Sequence, residues 1–469
     1  MHSRKSTTRR ASSRFVDKRK TRPSSSLPDP AKADGSAIET AGETFSDGTV
    51  IELIRDPASP TRLSLVRSKQ GVLDLKPTLS HAGRLYAPTR PESSISRAVR
   101  FPTRVAAPES TEKLFNDAYA RLHGFLGQLV PCITAMVFAI FASWMSPVLP
   151  MAPILSIFAP AGTPRNLALQ MLRMFCRRSL VLSGLRRADI NRVPMQLQPT
   201  LLLDEPDLRP EMQTLLQSSS YRAAGIITSH GLAEFYGPKI IFSRTLPQGT
   251  ALQTDALRSV LIPVAGQQLP LDKEAEAEIA EEFQSRFLGY FLRNSSRVQI
   301  PTFDVSQVSL PVQDLARAFG AAIVGDIEVQ QKILPLLSVH DEEIRADHAS
   351  AFDSIVLEAG LAFIHQGGWT NIRMDRLAEK VSAIYKGRGI DEEISAESTG
   401  WAAKRLGIPS GRINRAGNGL TLNVSTCRLI HKLALSHGVR AMQSGFFSAC
   451  RYCHELEVTI AQGKARGEV

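Results

Sequence analysis

The chain has 469 residues, 43% of them hydrophobic, and a formal net charge of +11. That length and apolar content exclude a wholly disordered polymer and leave room for about three domains. The five cysteines, an odd number with no recognisable signal peptide, argue against a disulfide framework and predict a reducing cytoplasm.

Residues 1–45 hold almost no large apolar side chain and are expected to be a disordered basic tail. Residues 1–22 carry nine Lys/Arg against Asp17 alone, so this arm supplies +8 of the +11. Such an arm suits polyanions, nucleic acid above all; a merely solubilising tail is an equal alternative. It lacks the apolar face of a transit peptide. From Gly48 the texture changes. Alternating runs at 49–54, 62–66 and 83–86, separated by turn dipeptides, predict a small antiparallel β module over 46–90. Residues 91–110 read as a linker and 111–145 as helical. Residues 124–164 contain no Asp, Glu, Lys or Arg, and 129–149 is long enough to span a bilayer. Pro131, Pro147, Pro150 and Pro153, with Gln128, Ser143 and Ser146, favour a buried core helix over a membrane anchor.

Residues 151–265 alternate between strand and helix. The pattern predicts strands at 154–158, 200–204, 223–228 and 239–242, and helices at 165–178 and 211–217. This is an α/β domain with a largely parallel sheet, set at 111–300. Residues 272–293 form a helix with an acidic start, favourable at a helix N-terminus. Further helices follow in a segment over 301–365.

The chemistry concentrates in two stretches of that domain. Thr200-Leu201-Leu202-Leu203-Asp204-Glu205-Pro206 reads as a buried strand delivering two carboxylates at its carboxyl end. In P-loop ATPases the first such acid holds Mg²⁺ and the second orients the attacking water. The partner motif, G-x-x-x-x-G-K-[ST], wraps phosphates with backbone N–H groups and reaches them with its Lys. Here its positions fall on Ala159, Pro164, Arg165 and Asn166, and only Gly162 still suits the turn. Pro164 removes a donor. Arg165 keeps the charge on a larger planar fork. Tight binding of ATP with Mg²⁺ is therefore not expected. The candidate cofactor-binding residues are Gly162, Thr163, Arg165, Asn166 and Ser243, the last ending the 239–242 strand where a γ-phosphate could be sensed. The candidate catalytic residues are Asp204, also the Mg²⁺ ligand, Glu205, and Arg258, placed just before another apolar strand. A surface salt bridge is an equal reading of Arg258.

Residues 366–440 differ in character. An amphipathic helix at 372–381, a second at 398–408 and a β-hairpin at 412–424 around Asn418-Gly419 outline a winged helix-turn-helix, with a last helix over 431–437. Lys404, Arg405, Arg412 and Arg415 would contact DNA phosphates; a solvated basic face is the alternative. In the tail at 441–469, Cys450-Arg451-Tyr452-Cys453-His454 fits the C-x-x-C-H signature of haem c attachment. That chemistry needs export to an oxidising compartment, so haem is not expected. Zinc on Cys450, Cys453 and His454, completed by His431 or His437, ranks above haem, and two free thiols rank above both. The sequence shows no Ser-His-Asp set, no G-x-S-x-G and no HExxH.

Taken in order, Pro153-Ile154-Leu155-Ser156-Ile157-Phe158, the P-loop position, the acidic strand, Lys239-Ile240-Ile241-Phe242-Ser243 and the C-terminal winged helix resemble the AAA+-like P-loop ATPases of phage and mobile-element primase–helicase proteins. More closely, the chain is similar to a group of bacterial proteins with the same small N-terminal β module. The resemblance covers roughly residues 46–440. It implies a P-loop core with a parallel sheet, nucleotide-driven remodelling of DNA and frequent homo-oligomers, hexamers among them. It gives Asp204 and Glu205 the metal and water roles and places Arg165 where the catalytic Lys belongs. The expectation is a degenerate P-loop protein that binds DNA as a scaffold or regulator. A weakly active helicase and a protein anchored in a membrane by 129–149 are the alternatives.

Overall fold

The computed structural model describes residues 37–59, 61–222, 224–228, 231–245, 252, 254–264, 270–300, 303–413, 417–439 and 450–466. The basic arm lies outside the described residues, apart from 37–45, and so does Arg415.

Seven short strands come first: β1 (Ile38–Thr40), β2 (Gly42–Thr44), β3 (Val50–Arg55), β4 (Leu63–Lys69), β5 (Val72–Lys76), β6 (Leu79–His81) and β7 (Arg84–Pro88). β2 to β5 form an antiparallel meander, and β6 pairs antiparallel with β7. β1 joins β7 in parallel, which alternation alone does not reveal. This module does not close a core of its own. Val50, Ile54 and Val66 belong to the same apolar cluster as the central helices, and Ile51, Leu53 and Leu65 pack in the cluster of Leu201 and Ile241. Glu52, on the same strand, is 1% exposed and binds two equally buried cations, Arg177 and Arg178.

Three helices follow: α1 (Ser93–Ala98), α2 (Thr111–Leu126) and α3 (Val130–Met145). α2 is capped by Ser110, whose side chain accepts from the Lys113 amide, and stops at Gly127 in the left-handed region. α3 carries Pro131 in its first turn, where no amide donor is needed. Every residue from 132 to 145 is buried or nearly so, against α2 and the strands and helices described next. Its sixteen residues reach about 24 Å. No helix among the described residues is long and apolar enough to cross a membrane. From Cys132 to Met145 the uncharged run is thus a helix enclosed by protein, with Leu129 and Val130 exposed at its start.

The central sheet comes from β8 (Ile154–Phe158), α4 (Arg165–Phe175), β9 (Leu180–Ser183), β10 (Leu201–Asp204), α5 (Pro210–Ser218), β11 (Gly225–Thr228), β12 (Gly231–Glu234), β13 (Lys239–Ser243) and β14 (Ala256–Val260). Five strands are all parallel, in the order β14-β8-β13-β10-β9. β9 is absent from the sequence reading. The strand expected at 223–228 does form, but it leaves the sheet to pair with β12 in a separate antiparallel hairpin.

Five helices follow, of which α9 meets β14: α6 (Lys273–Asn294), α7 (Leu310–Ala321), α8 (Ile327–Gln331), α9 (Leu334–Ser350) and α10 (Phe352–Gln366). α6 is capped by Asp272, carries Glu274 and Glu276 in its first turn, and packs on α3 and α4.

The C-terminal unit comprises β15 (Asn371–Arg373), α11 (Met374–Gly387), α12 (Ala396–Arg405), β16 (Ser410–Arg412), β17 (Asn418–Thr421), α13 (Val424–Ser436) and α14 (Arg451–Arg466). β15-β17-β16 is a small antiparallel sheet. With α10 to α13 it encloses a core of its own that includes Ile355, Leu361, Ile372, Leu377, Ala402, Leu420 and Ile430. Ile372 therefore belongs to a strand and not to the helix expected at 372–381. Asn418-Gly419 is not the hairpin turn either. Both residues lie in β17, where a Cβ on Gly419 would collide with the Ile372 carbonyl.

Candidate functional site

Parallel strands place their carboxyl ends at one edge of a sheet, and open α/β sheets bind ligands along that edge. β8 ends there in the loop 159–164, which leads into α4. β10 ends there in Asp204, and β13, which lies between them, ends there in Ser243. Two strand spacings separate β8 from β10, about 9.6 Å. Arg165, the first residue of α4, spans that gap, and its Nη1 lies 2.5 Å from Asp204 Oδ1. Both side chains are mostly buried, at 19% and 23% exposure. The residue at the P-loop Lys position and the first acid of the strand are thus joined by a charge-assisted hydrogen bond.

The loop itself is a compact turn. Gly162 has φ of +85°, a conformation that suits glycine. Thr163 donates its hydroxyl to the Pro160 carbonyl at 2.8 Å, so this side chain is spent on the turn. Asn166 is exposed. Glu205 is 8% exposed, and its Oε1 accepts the Leu185 amide at 2.7 Å, which ties the end of β10 to the segment after β9. Ser243 is fully buried, and its hydroxyl has no hydrogen-bond partner among the described residues. Arg258 lies inside β14, in register with Ser156, and not ahead of the strand. It pairs with Asp347 of α9 at 2.9 Å. Asp204, Arg165 and Ser243 therefore share one edge, while Arg258 is engaged by a helix beyond the other side of β8.

The opposite edge of the sheet holds a group that no motif signalled. Lys239, at the start of β13, is 1% exposed, and its Nζ donates to the carbonyls of Ser219 and Gly237 at 3.1 and 2.7 Å. Burial pushes this ammonium down to about 7.

On the C-terminal unit, Lys404 and Arg412 are exposed. Arg405 is held by Asp353 of α10. Lys404 Nζ sits 5.1 Å above the ring of Trp401, itself 56% exposed on the same helix. Sequence reading passed over Trp401, although an exposed indole beside a cation is a surface onto which bases can stack. Cys450 immediately precedes α14 and Cys453 lies in its first turn, whereas His454 faces solvent.

No family model matches the chain, and no curated protein matches it. Among solved structures it is similar to the apo C-terminal region of NrS-1, at 12% identity over 80% of this chain and 97% of that one, with a TM-score of 0.34. It is similar to the SCCmec type IV Cch helicase at 10% identity, covering 78% and 79%, with a TM-score of 0.36. Drosophila ORC bound to DNA is matched at 14% identity over 72% and 95%, with a TM-score of 0.20. Likenesses of this size carry no argument, and the fold rests on the parallel sheet and the loops at its carboxyl edge.

Proposed function

We propose that the chain is an AAA+-like P-loop protein that binds DNA and has given up efficient ATP hydrolysis, acting as a scaffold or regulator in mobile-element or DNA metabolism. The observation that carries this reading is the Arg165–Asp204 bond. Mg²⁺ in phosphate sites is held by one or two carboxylates together with the phosphates. Here the carboxylate in question is occupied by the chain's own guanidinium, and the second acid is engaged by a backbone amide. A metal on the remaining oxygen of Asp204 would have to bind against the positive charge of the guanidinium beside it. The order α10-β15-α11-α12-β16-β17 supports the winged-helix reading, and the exposed Lys404, Arg412 and Trp401 supply its nucleic-acid face.

A second reading, slow ATP turnover with Arg165 as a phosphate ligand, is favoured by one observation: the unpartnered Ser243 hydroxyl beside Asp204 at the end of β13. Calorimetry with Mg·ATP separates the two. The wild type is expected to show no saturable binding below about 1 mM. Arg165→Lys, with its smaller point charge, is expected to bind more tightly. ATP turnover by the wild type that vanishes in Asp204→Ala would establish the second reading and end the first.

A further inference from the structure

The C-terminal unit carries a cluster that the nucleotide reading leaves unused. We propose that His365, His431, Cys450 and Cys453 form a tetrahedral site for one Zn²⁺ that pins α14 to the helices before it. Their ligand atoms all lie within 4.8 Å of one another. The two Nε2 atoms are 3.2 Å apart, Cys450 Sγ is 3.4 Å from His431 Nε2, and Cys453 Sγ is 3.4 Å from His365 Nε2. Zinc bonds of about 2.0–2.1 Å to nitrogen and about 2.3 Å to sulfur imply tetrahedral edges of about 3.3 Å for N···N and about 3.5 Å for N···S. Three of the six edges thus already match such a polyhedron within a few tenths of an ångström, and no two of the four atoms are more than 4.8 Å apart.

The surroundings fit the same assignment. His431 Nδ1 lies 2.7 Å from the Cys427 carbonyl one helical turn back. That bond places the ring proton on Nδ1 and directs the Nε2 lone pair into the cluster, as metal-binding imidazoles require. Two thiolates balance the dication, so the bound centre would be neutral. Each thiol gives up its proton to solvent as its sulfur binds. Haem attachment would turn both sulfurs onto a porphyrin, whereas here they face two imidazoles. The ligand set also corrects the sequence reading. His454 lies outside the cluster, and His437 Nδ1 lies 3.3 Å from the Ser354 hydroxyl, while the fourth ligand comes from the last turn of α10, 88 residues before Cys453.

The site supplies a strong tie for α14. Among the described residues α14 is joined to α13 by the Arg428–Glu455 pair, with both side chains about half exposed, and by contacts of Tyr452 with Cys427 and His431, and such exposed pairs hold little. A metal joining α10, α13 and the start of α14 would fix the C-terminal helix against the unit that carries Trp401 and Lys404.

The test uses the full chain, purified with reductant and without chelator. Elemental analysis is expected to give one zinc per chain. Exchange for Co²⁺ is expected to give the intense visible bands of a tetrahedral ion together with thiolate charge transfer. His365→Ala and Cys453→Ser should lower metal affinity by more than about 100-fold, beyond the usual cost of losing an outer-shell partner. His454→Ala should leave the stoichiometry at one. Should His365→Ala fail to fold, His365→Cys keeps a ligand and should retain a tetrahedral Co²⁺ spectrum. Reduced wild-type protein that takes up neither zinc nor tetrahedral Co²⁺ overturns the proposal. So does loss of metal in His454→Ala with retention in His365→Ala.

Discussion

The Glu52→Gln substitution keeps the size of the side chain and removes one charge from a place that water does not reach. Glu52 Oε2 lies 2.9 Å from Arg177 Nη2, and its other oxygen accepts from Arg178. Arg178 also donates to the Leu197 carbonyl at 2.6 Å and to the Ala41 carbonyl, so it cannot swing away. Desolvation, with Arg177 beside it, already pushes its guanidinium down to about 9, against the pull of Glu52. A glutamine offers one acceptor for two donors and turns an amide N–H₂ toward the other cation. Removing one partner from a buried ion pair costs about 3–5 kcal/mol. At about 2–4 °C per kcal/mol for a unit of this size, the melting temperature should fall by roughly 6–20 °C. Calorimetric melting at neutral pH measures it. Adding Arg178→Met should recover part of the loss, because it removes the surplus cation. A fall of less than about 2 °C in the single mutant would mean that the cluster is solvated and the reasoning wrong.

Lys239 gives a prediction in pH. Its folded-state pKa of about 7 lies below the ordinary value of 10.5, so the folded chain binds fewer protons than the unfolded one between those limits. Stability should therefore rise with pH through that window, by at most about 1.4 kcal/mol per unit, and Lys239→Met should flatten the slope. Equal slopes for the two proteins in urea unfolding would contradict the assignment. Phe141→Ala, deep in α3 with Phe287 at 5.1 Å and Tyr290 at 4.9 Å, should lower stability by about 3–5 kcal/mol, seen as a lower urea midpoint at unchanged m. Lys404→Glu combined with Arg412→Glu should weaken DNA binding and reduce the steepness of log K against log salt by about 1.8. Unchanged affinity at low salt removes the nucleic-acid face from the proposal.

What could be read from the sequence followed the strength of local signals. β8 was legible because five residues, mostly apolar, stop before a proline-rich turn, whereas 111–145 was legible only as one helical stretch, which the left-handed Gly127 divides into α2 and α3. β9 was not, since four residues after a pair of arginines offer no period to recognise. Those arginines look like surface residues until Glu52, more than a hundred residues earlier, is seen to meet them. Asn418-Gly419 resembles a turn because glycine favours turns, yet this glycine serves the close approach of β15. The two acids and Arg165 could be named from the sequence as motif positions, but the bond between Arg165 and Asp204 could not, because it depends on where α4 begins relative to β10. His365 was invisible as a partner of Cys453 for the same reason: nothing in its neighbourhood differs from any helix end.

The burial of α3 has a consequence for how the chain must be made. On a ribosome this uncharged helix emerges about 180 residues before the last of α7, one of the helices that cover it. At synthesis rates of about 5–20 residues per second, that leaves it naked for roughly 10–40 s. During that interval the nascent chain displays a segment that a chaperone or a signal-recognition factor would read as membrane-bound. Truncation before α6 should turn a folded protein into one that pellets, and holdase chaperones should be found on the shortened product.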